Sequence, residues 1–211
     1  MREDLVIIGA GDFAREAMWV AERMNEERLQ WNLLGFVDDA LAGQTVDGYP
    51  VLGDVAWLRE YPRRIHAVCA IGTGSVRKRL WGQLSTNSEI VLATLIDPAA
   101  IIGRDTAVGS GCIVCAGTVV AIGAKLGRHT IVNLNCTIGH DAQLGTFVTV
   151  HPGANISGRV QIGECSIVGT GAKIIQGIRV ADQVILGAGA VVCRDILDPG
   201  TYIGVPAKIK E

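Results

Sequence analysis

The residues able to move a proton or hold a metal fall in few places along this chain. His140 is followed directly by Asp141. A histidine can accept the proton that an amine or hydroxyl loses as it attacks, and an adjacent carboxylate can fix the imidazole tautomer and raise its basicity. The pair therefore has the residue types of a general base and its orienting partner. His129, His140 and His151 stand eleven residues apart, which raises a metal site as the alternative. Cys112 and Cys115 form a C-x-x-C, but no second Cys or His pair follows at zinc-ligand spacing, so no metal is expected. The six cysteines lie among Val, Ile and Ala, as reduced, buried thiols do in a cytoplasmic protein.

A second chemical signature opens the chain. Gly9-Ala10-Gly11-Asp12-Phe13-Ala14 follows the apolar run Leu5 to Ile8 and precedes a helical pattern, the context in which a glycine-rich turn cradles phosphate at a helix N-terminus. Asp38 and Asp39 lie near the place where a dinucleotide fold puts its ribose-binding acid, so the motif alone leaves a nicotinamide cofactor open. The stretch is too short for a complete two-half dinucleotide domain.

Two differently built parts must position these groups. Eight of the ten aromatic residues precede residue 102, and residues 102 to 197 carry only 12 of the 40 charged residues. Residues 1–95 alternate strand and helix signals. A strand at Leu5–Ile8, a helix at Phe13–Glu27 and a strand at Leu33–Val37 open a βαβ unit. Val51–Gly53, a helix at Asp54–Glu60, a strand at Ala67–Ile71 and a helix at Ser75–Ser85 continue it. This predicts a small Rossmann-like parallel sheet flanked by helices.

Residues 96–211 form a repeat. Every sixth residue from Ile102 to Val192 is Ile, Leu or Val without exception, the position four further on is small or β-branched, and half of the positions just after the aliphatic residue are glycine. Such hexapeptide repeats make coils of three short strands that stack at about the 4.8 Å strand spacing into a parallel β-helix, here of about five coils. Glycine and asparagine at its corners are expected because they tolerate positive φ. In this frame His129, His140 and His151 fall on three different faces, which argues against convergence on a metal within one chain.

A formal net charge of -2 with no Lys or Arg run gives no footprint for nucleic acid or a membrane surface. No apolar stretch approaches a membrane span, and nothing at the start reads as a signal peptide.

The repeat resembles the left-handed β-helix of the hexapeptide acyltransferases. With the Gly-x-Gly half before it and Gly204-Val205-Pro206-Ala207-Lys208 at its end, the chain is similar to the sialic acid O-acetyltransferase family, which includes N-acetyltransferases of nucleotide-linked 4-amino-sugars. The segment that carries the likeness is Asn133, then His140-Asp141, then Pro152-Gly153. The chain departs from the family at Thr149, where members often have a second histidine. The resemblance implies a homotrimer that moves the acetyl group of acetyl-CoA to an amino-sugar linked to a nucleotide, with His140 as general base assisted by Asp141. It implies that Gly9, Gly11, Asp12, Asp38, Asp39 and the Gly72-Thr73-Gly74 turn hold the nucleotide, with Asn133 also on the substrate. Acetyl-CoA would lie against Gly158, Thr170, Gly171, Ala188 and Gly189, with Pro206 and Lys208 at its adenine and phosphate. O-acetylation of a sugar hydroxyl and a non-catalytic sugar-nucleotide scaffold remain the alternatives. Cys115 and Cys193 have no histidine in their own or the next hexad, so direct transfer is expected rather than an acyl-enzyme.

Overall fold

The computed structural model describes residues 2–210 and divides into two compact units, Met1–Pro98 and Ala99–Glu211. In the first, six strands are ordered β3-β4-β2-β1-β5-β6. These are β1 (Glu3–Ile8), β2 (Trp31–Val37), β3 (Thr45–Val46), β4 (Tyr49–Gly53), β5 (Ile65–Cys69) and β6 (Ile90–Leu92). All pairings are parallel except the β3–β4 hairpin. Helices α1 (Asp12–Glu27), α2 (Val55–Arg59) and α3 (Gly74–Leu84) accompany the sheet. The central strands β1 and β5 read as continuous apolar runs because both faces are covered; Leu5, Val6, Ile7, Ala67 and Val68 are fully buried. Two short strands beyond those expected, β3 and β6, complete the sheet, and β5 begins two residues earlier than expected, with Ile65 and His66 buried in it.

Pairing of β1 with β2 skips Leu34, passing from Leu5↔Leu33 to Val6↔Gly35. This bulge rests on Gly35, whose φ of +134° and close approach to the Pro50 carbonyl exclude a side chain. Beyond it, Ile8 pairs with Val37, so that Asp38 emerges beside the Gly9–Ala10 turn.

In the second unit the strands up to Val191–Val192 pair in parallel with the one 18 residues later, as in Ile113↔Ile131, Thr137↔Asn155 and Gln143↔Gln161, and at the C-terminal end the offset shortens to 16, as in Val184↔Gly200 and Val180↔Ile196. Three faces result. Of their inward aliphatic residues, Val114, Val132, Val150 and Ile138 are 0–1% exposed. The second inward position does more than save space. The hydroxyls of Thr106, Thr118, Thr130 and Ser166, and the thiols of Cys112 and Cys136, each donate to the carbonyl 15 residues on, at 2.7–3.2 Å. Small residues with a donor satisfy corner carbonyls that the strand ladders leave buried. The C-terminal strand Gly200–Ile203 continues one stack beyond Val184–Leu186, and Lys208–Ile209 folds back against it, which covers the last open edge.

The corners hold glycine for two reasons, of which positive φ covers only one set. Positive φ recurs at every sixth residue from Asp105 to Gly189, between 55° and 78°, and falls two positions after the frequent glycine. The left-handed position carries Gly only about half the time and elsewhere holds Asp105, His129, Asn135, Asp141, Phe147, Arg159, Cys165 and Gln183. The glycine just after the aliphatic residue is there for close approach instead: a Cβ on Gly127 would sit 2.6 Å from the Gly145 carbonyl oxygen and 2.7 Å from the Thr146 nitrogen of the next coil. Gly177, at φ +78°, has nothing within 4 Å of a Cβ and is constrained only by its dihedral. We expect Gly127→Ala to destabilise by about 1–3 kcal/mol through overpacking. Gly177→Ala should cost about 1–2 kcal/mol through left-handed strain alone. Urea unfolding of the two variants checks this, and equal wild-type stability of Gly127→Ala would contradict it.

Candidate active site

His140 occupies the corner between strands Thr137–Ile138 and Gln143–Leu144. The corner is tied to both neighbouring coils: Gly139 N–H donates to Ile156, Arg159 N–H to the His140 carbonyl, and Asp141 N–H to Ile122, at 2.7–3.1 Å. Asp141 takes the left-handed position at φ 58°, which a short polar side chain tolerates, and this turns its carboxylate back on the preceding residue. His140 Nδ1 lies 2.9 Å from Asp141 Oδ2. A carboxylate only accepts, so the proton is on Nδ1 and the lone pair on Nε2.

Two glycines make room for this pair. A Cβ on Gly158, one coil later, would lie 2.7 Å from both Cδ2 and Cε1 of the imidazole. One on Gly123, one coil earlier, would lie 2.6 Å from Asp141 Oδ1. The ring thus leans over Gly158 with Nε2 toward the C-terminal coils, and the side chains of His140 and Asp141 are 42% and 61% exposed. Glycines at exactly one coil before Asp141 and one coil after His140 were a readable signal, hidden until the 18-residue register is known.

The residues expected against acetyl-CoA fall on two ridges that border one face. Gly158 shares the His140 ridge, whereas Thr170, Gly171, Ala188 and Gly189 stack on the ridge across the Thr137, Asn155 and Lys173 strands. Backbone donors do not come from Gly171 and Gly189, whose N–H groups are spent on Pro152 and Thr170 carbonyls; what these residues offer is a bare edge, with nothing within 4 Å of either Cβ. Thr137, Asn155 and the Gly153 carbonyl form a hydrogen-bonded chain across the face, and Lys173 Nζ reaches Gly171 O at 3.2 Å. Pro206 and Lys208 belong to the terminal fold-back, where both are exposed. Asn133 is 5% exposed with Nδ2 donating to Val150 O at 3.2 Å, which makes it a corner brace on the far ridge. Thr149 is fully buried.

His129 stacks on Phe147, centroids 4.7 Å apart and 6° from parallel, and the three spaced histidines stand at three different corners. Burial pulls the His151 imidazole down toward its neutral form. Among the described residues no group of three His, Cys, Asp or Glu is placed to hold a metal. Cys115 is 1% exposed, and burial pushes the Cys69 thiol up to about 12 and Cys136 to about 11, so these sulfurs are not nucleophilic.

In the first unit, Gly9, Asp38, Asp39 and Arg79 line a pocket of about 200 Å³. Gly9, at φ +101°, donates to Val37 O. Asp38 uses both oxygens on the backbone, accepting from Ala10 N–H at 3.0 Å and Ala40 N–H at 2.9 Å, and Asp39 Oδ1 accepts from Val55 N–H at 2.9 Å. The aspartates therefore shape the loops first and leave one Asp39 oxygen to a ligand. Gly11, Asp12, Gly72 and Thr73 lie outside the pocket lining. Asp12 is fully solvated beside Arg15, and the Gly72 carbonyl is held by the buried Arg77 at 3.0 Å. Neither Arg77 nor Arg79 was marked by the sequence, because an arginine on a helix is ordinarily a surface residue.

Comparison with known proteins finds relatives of both units. The family described as PglD N-terminal domain matches residues 4–84. GDP-perosamine N-acetyltransferase of Escherichia coli O157:H7 is 30% identical over 136 residues, 64% of this chain and 61% of that protein, so the chain spans about three-fifths of the curated relative it matches. The acetyltransferase domain of PglB from Neisseria gonorrhoeae FA1090 in complex with acetyl coenzyme A superposes with a TM-score of 0.92 at 34% identity, covering 100% of both chains. PerB from Caulobacter crescentus in complex with CoA and GDP-perosamine gives 0.88 at 31%, covering 99% of this chain and 97% of that one. With a full-length match at this identity over both units, the chain belongs to the hexapeptide-repeat nucleotide-sugar acetyltransferase family.

Proposed function

We propose that the protein transfers the acetyl group of acetyl-CoA to the amino group of a nucleotide-linked amino-sugar, with His140 as general base. The observation that carries this is the His140–Asp141 pair, which presents a basic Nε2 over the bare Gly158 corner. The names of the relatives support the donor and the class of acceptor: acetyl coenzyme A in the Neisseria domain, CoA and GDP-perosamine in the Caulobacter protein.

The thioester is already activated, so the protein's task is to deprotonate and align the nucleophile. The amine lone pair attacks the acetyl carbonyl as His140 Nε2 takes an amine proton, and Asp141 steadies the resulting imidazolium. The tetrahedral adduct then collapses, the C–S bond breaks, and the thiolate of CoA leaves to be protonated by the imidazolium. The first unit would receive the nucleotide. Its 200 Å³ pocket is below the roughly 300 Å³ at which whole-ligand pockets begin, so it suits a part of that group. Arg79 offers a cation to phosphate and Asp39 an acceptor to a base edge.

A homotrimer fits the exposed apolar patch of Ile101, Val119 and Ile122 on adjoining rungs, 63%, 37% and 49% exposed. We place the reaction in the cytoplasm, where thiols such as Cys112 and Cys136 stay reduced to serve as hydrogen-bond donors.

Thiol release from acetyl-CoA, followed against a panel of nucleotide-linked 4-amino-sugars, should show turnover that His140→Ala lowers by about 10²–10⁴-fold in kcat. Asp141→Asn should fall between that variant and wild type, with unfolding midpoints unchanged in both. Turnover only on sugar hydroxyls would reassign the acceptor, and equal rates in wild type and His140→Ala would remove the base. Sedimentation equilibrium should return three times the 22.3 kDa chain mass, and a monomer would contradict the assembly.

A further inference from the structure

Arg77 is the largest fully buried side chain among the described residues, 0% exposed, although the next two residues of α3, Lys78 and Arg79, are both exposed. Side chains on a helix lean toward its N-terminus, and from the first turn of α3 this lean carries the guanidinium back past the Thr73 cap. There Nη1 donates to the carbonyls of Ile71 at 2.7 Å and Gly72 at 3.0 Å. Taking a guanidinium out of water is costly, whereas a helix start is ordinarily secured by a short capping side chain. Thr73 makes no such capping bond, so the turn between β5 and α3 is held by the arginine beneath it.

That hold has a direction. In a trans peptide the C=O and N–H point opposite ways, so carbonyls drawn onto Arg77 turn the N–H groups of Gly72 and Thr73 away from the guanidinium. The same segment forms part of the wall of the 200 Å³ pocket, with Ile71 before the turn and Val76 and Arg79 after it, whereas Arg77 itself is absent from the lining. Ile71 also packs tightly on the glycine-rich turn: a Cβ on Gly9 would lie 3.2 Å from its Cγ1 and 3.4 Å from the Ala70 carbonyl oxygen. A β5–α3 turn free to shift would therefore close the cavity on Gly9 or open it. Resting on the acetyltransferase reading above, we infer that Arg77 is a positioning residue for the sugar donor. It touches no part of the ligand, but by pinning the Ile71 and Gly72 carbonyls it keeps the pocket wall in the shape that receives the nucleotide.

Arg77→Lys, which keeps the charge on a compact ammonium, and Arg77→Met, which keeps the length and loses every donor, test this in the full chain. Isothermal titrations with GDP, UDP and dTDP read nucleotide binding, a titration with CoA serves as the control in the second unit, and thermal unfolding reports stability. Apparent affinity falls with the fraction of molecules that hold the competent turn, so Arg77→Lys should raise the Kd of the nucleotide that binds about three- to fivefold, and Arg77→Met about tenfold. The KM for the corresponding amino-sugar should rise in parallel, while kcat at saturating substrate and the CoA Kd stay at wild-type values. Amide exchange at Gly72 and Thr73 should quicken in both variants. A merely structural role predicts a lower Tm with the nucleotide Kd unchanged; that result, or an equal rise in the CoA Kd, overturns the inference. Where Arg77→Met does not fold, Arg77→Lys decides. Nucleotide binding to wild type that both variants match removes the role of Arg77 alone, whereas no nucleotide binding to wild type removes the first-unit reading and the inference with it.

Discussion

The fixed offset of 18 residues between stacked strands is the constraint on which the rest of the second unit depends. Because the coils up to Val192 hydrogen-bond to one another at the same register, a property demanded at one position recurs in a column along them. The aliphatic column fills the interior, the Thr, Ser and Cys column donates to carbonyls 15 residues on, and the corner column pays for a left-handed backbone at every sixth residue. Eight of those corner residues are not glycine, at a cost of about 1–2 kcal/mol each, and such strain persists only where surrounding hydrogen bonds over-determine the turn.

The candidate site exploits that regularity by breaking it locally. Asp141 accepts the left-handed conformation and, in doing so, folds its carboxylate onto His140, so the contact that orients the imidazole is made between adjacent residues rather than across the fold. The neighbouring coils supply absence: Gly123 and Gly158 leave space exactly where the carboxylate and the imidazole lie. Ladder hydrogen bonds to the coils on both sides tie the corner down. The first unit works on the opposite principle. Its pocket is assembled from loops at strand ends, and Asp38 and Asp39 spend most of their acceptor capacity tying those loops together, which preorganises the pocket at the expense of direct ligand contacts.

Periodicity made much of this legible without coordinates. An unbroken aliphatic column from Ile102 to Val192 admits few structures other than a stack of three-stranded coils, and the alternation of short apolar runs with helical patterns before it admits a parallel sheet. The His140–Asp141 pair was legible for the same reason, since its contact is local. Asn133 and the glycines at 171 and 189 were expected to touch ligands, and the structure shows that Asn133 Nδ2 and the two glycine N–H groups donate inside the ladder, because a buried amide or N–H must be satisfied whatever else it might do.

By itself, then, the sequence determined the architecture of both units and the adjacency of His140 and Asp141, since these follow from repeating patterns and from neighbours along the chain. Only the tertiary structure decided which way the imidazole faces, which residues stack on its ridge, why glycine follows the aliphatic residue, and that Arg79 rather than Asp12 reaches the first-unit pocket. Each of these depends on atoms brought within a few ångströms by strand pairing across 18 or more positions, and that register is a property of the folded backbone.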